Sequence, residues 1–270
     1  MSPIFMLIYI CSGYGGMAIL MFKGVFVYLK CIGVVHAIIC CLLVGLCLML
    51  FIMLQRIDPG RITKANVYLL VKKYPYDKLL FHPSTCSTCK LEKVARSKHC
   101  SHCNVCIERQ DHHCIWINRC IGAKNYYIFL LFLITHIVLC TDTVIILTFI
   151  FIRIINLRND KVVERKWGEV YSYLMKEHAE LMFVFVLCLT VGVTLLFLFA
   201  QHMMQIVGNR TNNEVNKVSL LKYRLENELK NYKDNEGDNV KSIMMKLKAL
   251  SKSFYHKGVR KNIMEVVCPK

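Results

Sequence analysis

The amino-acid sequence predicts an all-α polytopic membrane protein: four transmembrane helices with a small cytosolic two-zinc cysteine-rich domain between the second and third. Three observations carry this expectation. The 270 residues are 55% hydrophobic with a mean hydropathy of +0.41, above the roughly 45–50% apolar content of soluble domains. The excess is gathered into four blocks, Ile4–Met21, Ile32–Met53, Tyr126–Ile152 and Leu181–Val207. Seven of the 15 cysteines fall between Cys86 and Cys120, interleaved with histidines.

A helix needs about 20 apolar residues to cross a hydrocarbon core, because each residue rises only about 1.5 Å. The last three blocks reach that length. The first contains Gly13, Gly15 and Gly16; it is read as a span whose small face admits a neighbouring helix. Met1-Ser2-Pro3 supplies no positive region of the kind that opens a signal peptide. After the second block, Asp58-Pro59-Gly60 is a turn signal that ends the helix. Asp142 lies mid-way along the third block with Thr141, Thr143 and His136. An ionisable group at that depth is costly and needs a partner, and a bundle-facing hydrogen bond to another helix is the preferred account.

Charge orients the spans. Leu54–Asn125 carries 13 Lys and Arg against 5 Asp and Glu, the chain after Val207 carries 14 against 7, and Arg153–Glu180 carries 6 against 5. The positive-inside rule places the first two regions in the cytosol and the third in the lumen. The chain then divides into residues 1–54 (two spans), 55–125 (cytosolic zinc-binding domain), 126–207 (two spans with a lumenal loop, 153–180) and 208–270 (cytosolic tail). A net charge of +17 placed beside spans is explained by an anionic leaflet; the partner is the lipid bilayer, and no nucleic acid is expected. In the tail, Leu220, Leu221, Leu225 and Leu229 recur at helical spacing, as do Met244, Leu247, Leu250 and Phe254. They are read as two amphipathic helices, either on the membrane surface or in ordinary tertiary packing. No internal repeat longer than the cysteine pairs stands out.

Cytosolic thiols stay reduced, so metal ligation is favoured over disulfides for the cysteine cluster. Its spacing is Cys86-x2-Cys89, then His99-Cys100-x2-Cys103-x2-Cys106, then His112-His113-Cys114 and Cys120. Each Cys-x2-Cys knuckle supplies two of zinc's four tetrahedral ligands. Two knuckles imply two ions and eight ligands, drawn from seven cysteines and His99, His102, His112 and His113. If each site takes three cysteines and one histidine, one cysteine is left over, and spacing alone does not say which.

The run Cys86–Phe129 resembles the cysteine-rich domain of the DHHC-type protein S-acyltransferases, or palmitoyltransferases. The matching positions are Cys86, Cys89, His99, Cys100, Cys103, Cys106, Asp111, His112, His113, Cys114, Cys120, Asn125 and Phe129, with Trp116 and Gly122 also in keeping. Asp58-Pro59-Gly60, Thr211-Asn212-Asn213-Glu214 and Asn262 resemble further motifs of that family. The resemblance implies one structural zinc on Cys86, Cys89, His99 and Cys106, a second on Cys100, Cys103, His113 and Cys120, and Cys114 as the spare thiol. It implies a catalytic set of Cys114 as nucleophile, His112 as base and Asp111 as its orienting carboxylate, which is triad logic with sulfur. The expected donor is palmitoyl-CoA or a similar long-chain acyl-CoA, and the expected acceptors are cytosol-facing proteins with a cysteine near the membrane. The expected membrane is that of the endoplasmic reticulum or Golgi.

Four departures stand out: Ile115 for a proline, Arg119 for an asparagine, Val94 for a proline, and Asn212 for the second threonine of Thr-Thr-x-Glu. Asn212 is expected to weaken the hydrogen bonding around the site. The rival to an enzyme is a catalytically silent zinc-finger membrane scaffold. A ubiquitin-type zinc ligase leaves Asp111 and His112 without a role.

Overall fold

The computed structural model describes residues 4–25, 27, 30–157, 167–230, 232 and 237–268. It is mostly helical: α1 (Ile4–Ile19) runs into a π-helical turn (Leu20–Val25), followed by α2 (Lys30–Arg56) and α3 (Val67–Lys73). Four three-residue strands come next, β1 (Lys98–Cys100), β2 (Val105–Ile107), β3 (His112–Cys114) and β4 (Arg119–Ile121). Then come α4 (Tyr126–Leu157), α5 (Trp167–Glu177), α6 (Ala179–Val207), α7 (Asn212–Lys230), α8 (Asp238–Leu250) and α9 (Val259–Val267). The chain forms two units, one of residues Leu54–Phe129 with Ala200–Lys270, the other of Ser2–Met53 with Leu130–Phe199.

In the second unit, among the described residues, three helices are long and apolar enough to cross a membrane: Val34–Arg56 of α2, Tyr126–Leu157 and Ala179–Val207. They remain apolar on their outer faces, with Leu42, Phe149 and Phe197 exposed, as expected of helices whose solvent is hydrocarbon. The first predicted span differs. α1 has 16 residues, about 24 Å of rise, and the chain stays helical only by passing through the π turn. The expected small face is only partly realised. A Cβ on Gly13 or Gly15 meets nothing within 4 Å and one on Gly16 would stand 3.9 Å from Val184, an ordinary contact, whereas one on Gly24 would stand 3.1 Å from Ile150 and 3.4 Å from Leu181. Gly24, beyond the predicted block, is therefore the close-approach residue, and Leu20, Val25, Leu147, Ile150 and Leu181 form the core around it. Of the loop expected at 153–180, residues 158–166 lie outside those described. The rest contains α5, whose Leu174 is buried with Val170 and Tyr173 against this core. The spacing of those three apolar residues was the overlooked helical signal.

In the first unit, the Asp58 carboxylate accepts hydrogen bonds from the backbone N–H groups of Gly60 (3.3 Å) and Arg61 (3.1 Å). Gly60 takes a positive φ of 103°. That turn ends α2 by the chemistry the motif suggests. A core of Ile62, Tyr74, Phe81, Val94 and Tyr255 joins the cysteine-rich segment to the tail. Helices α7 and α8 pack through Val218, Leu225, Ile243 and Leu250, the tertiary-packing alternative. Leu220, Met244 and Phe254 are exposed, so the buried stripe is set one residue away from part of the predicted one.

Candidate metal centres and active site

The cysteine-rich segment is two antiparallel hairpins of one design. In the first, His99 pairs with Cys106 and Cys100 with Val105; in the second, His113 pairs with Cys120 and Cys114 with Arg119. Each cross-strand His and Cys pair meets the knuckle that precedes it in the chain. Cys86, Cys89, His99 and Cys106 converge in one cluster, and Cys100, Cys103, His113 and Cys120 in the other. The first four recur 14 residues later as the second four, an interleaved repeat that contradicts the expectation of none.

The dimensions fit zinc. A tetrahedral ion with Zn–S of about 2.3 Å and Zn–N of about 2.05 Å separates S and N by about 3.5 Å and two S atoms by about 3.8 Å. His99 Nδ1 lies 3.6, 3.3 and 3.8 Å from the sulfurs of Cys86, Cys89 and Cys106. His113 Nδ1 lies 3.5, 3.5 and 3.6 Å from those of Cys100, Cys103 and Cys120, with Cys103 and Cys120 3.6 Å apart. In the first knuckle the backbone N–H of Cys89 faces the Cys86 sulfur at 3.5 Å. It draws that thiol below its ordinary range, towards the thiolate a metal requires. His102, the other histidine candidate of this stretch, is exposed and only stacks on His113, with ring centroids 4.7 Å apart.

Cys114 lies outside both clusters and is buried. His112 hydrogen-bonds Cys114, and its Nδ1 is 2.8 Å from Asp111 Oδ2. Burial alone would lower the His112 pKa, but the Asp111 carboxylate and the Cys114 contact outweigh it and raise the imidazole to about 9. The other Asp111 oxygen accepts the backbone N–H of Asn212 at 2.7 Å. The donor is main chain, so this bond to Asp111 does not depend on the identity of the side chain at 212. Phe129 packs edge-on to His112, with ring centroids 5.3 Å apart.

Three contributors escaped notice in the sequence. His202, inside an apolar block, lies beside His112, with ring centroids 6.1 Å apart, and is hydrogen-bonded to Tyr126 Oη at 2.8 Å. Arg96 is fully buried and grips Glu214 through Nε (2.6 Å) and a terminal nitrogen (2.8 Å). Asn209, at a positive φ of 48° just past α6, accepts from Arg96 and Arg109 and donates to the Tyr255 carbonyl. The Arg96 grip acts on the N-terminus of α7. There Thr211 and Glu214 exchange hydrogen bonds, Glu214 N–H to Thr211 Oγ1 (3.2 Å) and Thr211 N–H to Glu214 Oε2 (2.9 Å), a capping box. Asn212 is the first residue of the helix so held, and its N–H is thereby aimed at Asp111. Asn262 completes the network by donating to the Val207 carbonyl at 2.9 Å.

The remaining departures fit without disturbing the clusters. Val94 is buried in the core, Arg119 donates to the Gln55 carbonyl at 2.8 Å, and Ile115 is exposed. Asn125 locks the turn after β4 by accepting from Gly122 N–H (2.9 Å) and donating to the Cys120 carbonyl (3.0 Å).

Comparison with known proteins agrees with this construction. The family described as DHHC palmitoyltransferase matches residues 80–219. Palmitoyltransferase swf1 of Schizosaccharomyces pombe is 36% identical over 170 residues, 63% of this chain and 47% of that protein. Palmitoyltransferase SWF1 of Yarrowia lipolytica is 32% identical over 174 residues, 62% of this chain and 45% of that one. Palmitoyltransferase ZDHHC4 of Rattus norvegicus is 52% identical over 79 residues, 29% of this chain and 23% of that protein. Each match spans less than half the length of the relative. The family match covers just over half of the 270 residues and includes both Cys/His clusters and the Asp111-His112-Cys114 constellation; the chain belongs to the DHHC palmitoyltransferase family.

Proposed function

We propose that this protein is a protein S-acyltransferase that carries a long acyl group, palmitate or one similar, on Cys114 and passes it to protein cysteines. The single observation that supports this best is a buried thiol outside two complete Cys/His clusters, hydrogen-bonded to an imidazole that is itself held by a buried carboxylate. A scaffold has no use for such a thiol.

The roles proposed are these. Cys86, Cys89, His99 and Cys106 would hold one zinc ion and Cys100, Cys103, His113 and Cys120 a second, which would fix the two hairpins and supply rigidity. With its imidazole pKa raised to about 9, His112 carries a proton at neutral pH and sits as imidazolium beside the Cys114 sulfur; the thiolate sulfur attacks the thioester carbonyl of acyl-CoA, and the C–S bond to CoA breaks as the imidazolium gives a proton to the departing thiolate. An acceptor cysteine then yields its proton to His112 and attacks the acyl-enzyme, restoring Cys114. Asp111 keeps Nδ1 of His112 engaged, so Nε2 faces the sulfur, and it stabilises the imidazolium.

The acyl chain needs an apolar site, since burial is favourable by about 0.8 kcal/mol per methylene. The topology proposed is four spans, the first made of α1 with its π turn. The domain sequence is 1–54, 55–125, 126–207 and 208–270, with 153–180 lumenal and the active site cytosolic, in endoplasmic reticulum or Golgi membrane. Incubation of purified protein with labelled palmitoyl-CoA tests the activity. Wild type acquires a hydroxylamine-sensitive label, and Cys114→Ser keeps both zincs but loses it. A hydroxylamine-sensitive label on Cys114→Ser would overturn the assignment.

A further inference from the structure

Among the described residues, one group outside the cysteine-rich segment brings three metal-ligating side chains together: His36, Cys40 and Asp142. His36 and Cys40 are four residues apart on α2 and so share a face; Asp142 comes from α4. The match in depth has a simple origin. Cys40 lies 16 residues before Arg56, the end of α2, and Asp142 lies 16 residues after Tyr126, the start of α4, about 24 Å along each helix.

The three donor atoms form a closed triangle. Cys40 Sγ is 3.1 Å from His36 Nε2 and 3.4 Å from Asp142 Oδ2, and His36 Nε2 is 3.5 Å from Asp142 Oδ2. Without a metal the three groups are linked by the His36–Asp142 ion pair and by hydrogen bonds of the Cys40 thiol to both partners. A tetrahedral zinc matches the two edges to Asp142, at 3.4 and 3.5 Å, since its ligand atoms stand about 3.3–3.5 Å apart; the 3.1 Å edge between Cys40 and His36 would open by about 0.4 Å to reach the S–N separation of such an ion. A thiolate, a carboxylate and a neutral imidazole carry two negative charges, which a divalent ion cancels, so the metal-bound group meets the neutrality an apolar interior demands as the metal-free ion pair also does. Thiolate and imidazole select a soft or borderline transition ion over magnesium or calcium.

We propose that His36, Cys40 and Asp142 form a third zinc-class metal site that staples α2 to α4 inside the helical unit, with the fourth coordination position open to a small ligand. The site is separate in sequence and in ligand chemistry from the two sulfur-rich clusters, with one sulfur instead of three.

Metal analysis of the full-length protein in detergent tests this. The expected result is three zinc ions per chain in wild type, and two in both Asp142→Asn and Cys40→Ser. The chain reloaded with 113Cd is expected to show a third resonance, upfield of the two from three-sulfur sites, because fewer thiolates shield the nucleus differently. That measurement needs only wild type and so survives a variant that fails to fold. Two zincs in wild type with no one-sulfur cadmium resonance would overturn the proposal and leave a hydrogen-bonded ion pair with a neighbouring thiol. Unchanged zinc content in the folded variants would overturn it equally.

Discussion

Replacing Asn212 by proline removes one hydrogen and asks whether that hydrogen organises the catalytic site. Asn212 is the first residue of α7, following the capping residue Thr211 whose hydroxyl accepts the Glu214 N–H. Proline is well tolerated at the first helical position, where the N–H has no partner within the helix and φ is already near −65°. An N-cap residue usually takes the extended conformation that a residue preceding proline prefers. The helix is therefore expected to persist while Asp111 loses its 2.7 Å bond from the main chain. A hydrogen bond to a charged group contributes about 1.5–3 kcal/mol, and about 1.36 kcal/mol corresponds to tenfold in rate. Acyl-enzyme formation should fall roughly ten- to hundredfold in Asn212→Pro, with zinc content and unfolding midpoint close to wild type. Asn212→Ala, which keeps the N–H, should retain the wild-type rate. The assay is single-turnover transfer from labelled palmitoyl-CoA to Cys114. Equal losses in the two variants, or full activity in Asn212→Pro, would refute the assignment of Asp111 support to the backbone.

Glu214→Gln leaves the wholly buried Arg96 without its bidentate carboxylate, with Glu265 at 3.8 Å as its remaining ion-pair partner; breaking a buried pair outright costs about 3–5 kcal/mol, and Glu265 holds the loss to the lower end of that range. Thermal unfolding in detergent should show a large drop, and Arg96→Met combined with Glu214→Leu should recover most of it; a Glu214→Gln midpoint matching wild type contradicts the pairing. Gly122→Ala places a Cβ 2.5 Å from the Pro59 carbonyl oxygen and 2.6 Å from an Ile107 methyl. A backbone atom cannot rotate away, so a loss of about 1–3 kcal/mol is expected, and an unfolding curve superimposable on wild type would show that the Asp58–Gly60 turn does not seat there. The pH dependence follows from His112. Its folded pKa is about 9, above the ordinary value near 6.5, so the stability it contributes is fully present below about 6.5 and is lost as pH rises through about 9. Asp111→Asn should flatten that decline between pH 7 and 10, and parallel curves for the two proteins would contradict the coupling.

What the sequence made legible is whatever is set by local chemistry. The long apolar blocks became α2, α4 and α6 with ends shifted by a few residues, because continuous hydrophobicity and helix length dominate there. The ligand groups assigned by resemblance are the ones that converge, because a Cys-x2-Cys knuckle has one tight geometry. Less legible were contacts made over long sequence separation. Arg96 and Glu214 are 118 positions apart, and nothing local to Arg96 marks it as an interior residue. Asn209 was missed because its role depends on a positive φ and on Tyr255 and Asn262 arriving from the tail. Asp142 was legible as needing a bundle partner, but His36 and Cys40 could be named only once α2 and α4 were paired.

The interleaved repeat gives a physical reason why Cys114 is the free thiol. Advancing 14 residues from Cys86 reaches Cys100, and 14 more reaches Cys114. The turn that follows each cysteine closes with a residue at positive φ four positions on: Lys90 (54°), Asn104 (51°) and Asn118 (54°). Cys114 therefore heads a third turn of knuckle form, but the second ligand position holds Ile117, buried at 1% exposure, and the later positions of the unit hold Tyr127 and Ile134. Cys114, the proposed nucleophile, stands where the first ligand of a third metal site would be, with the other ligand positions of that site unfilled. Ile117→Cys should restore the pair and create a competing site for the catalytic sulfur. In that variant, acylation measured without added metal should stay within a fewfold of wild type, then fall steeply as micromolar zinc is added and return with chelator titrated only to the added amount. Wild type should be indifferent over the same range. If Ile117→Cys proves as insensitive to zinc as wild type, the turn at Cys114 lacks knuckle geometry, and its freedom from metal needs another cause.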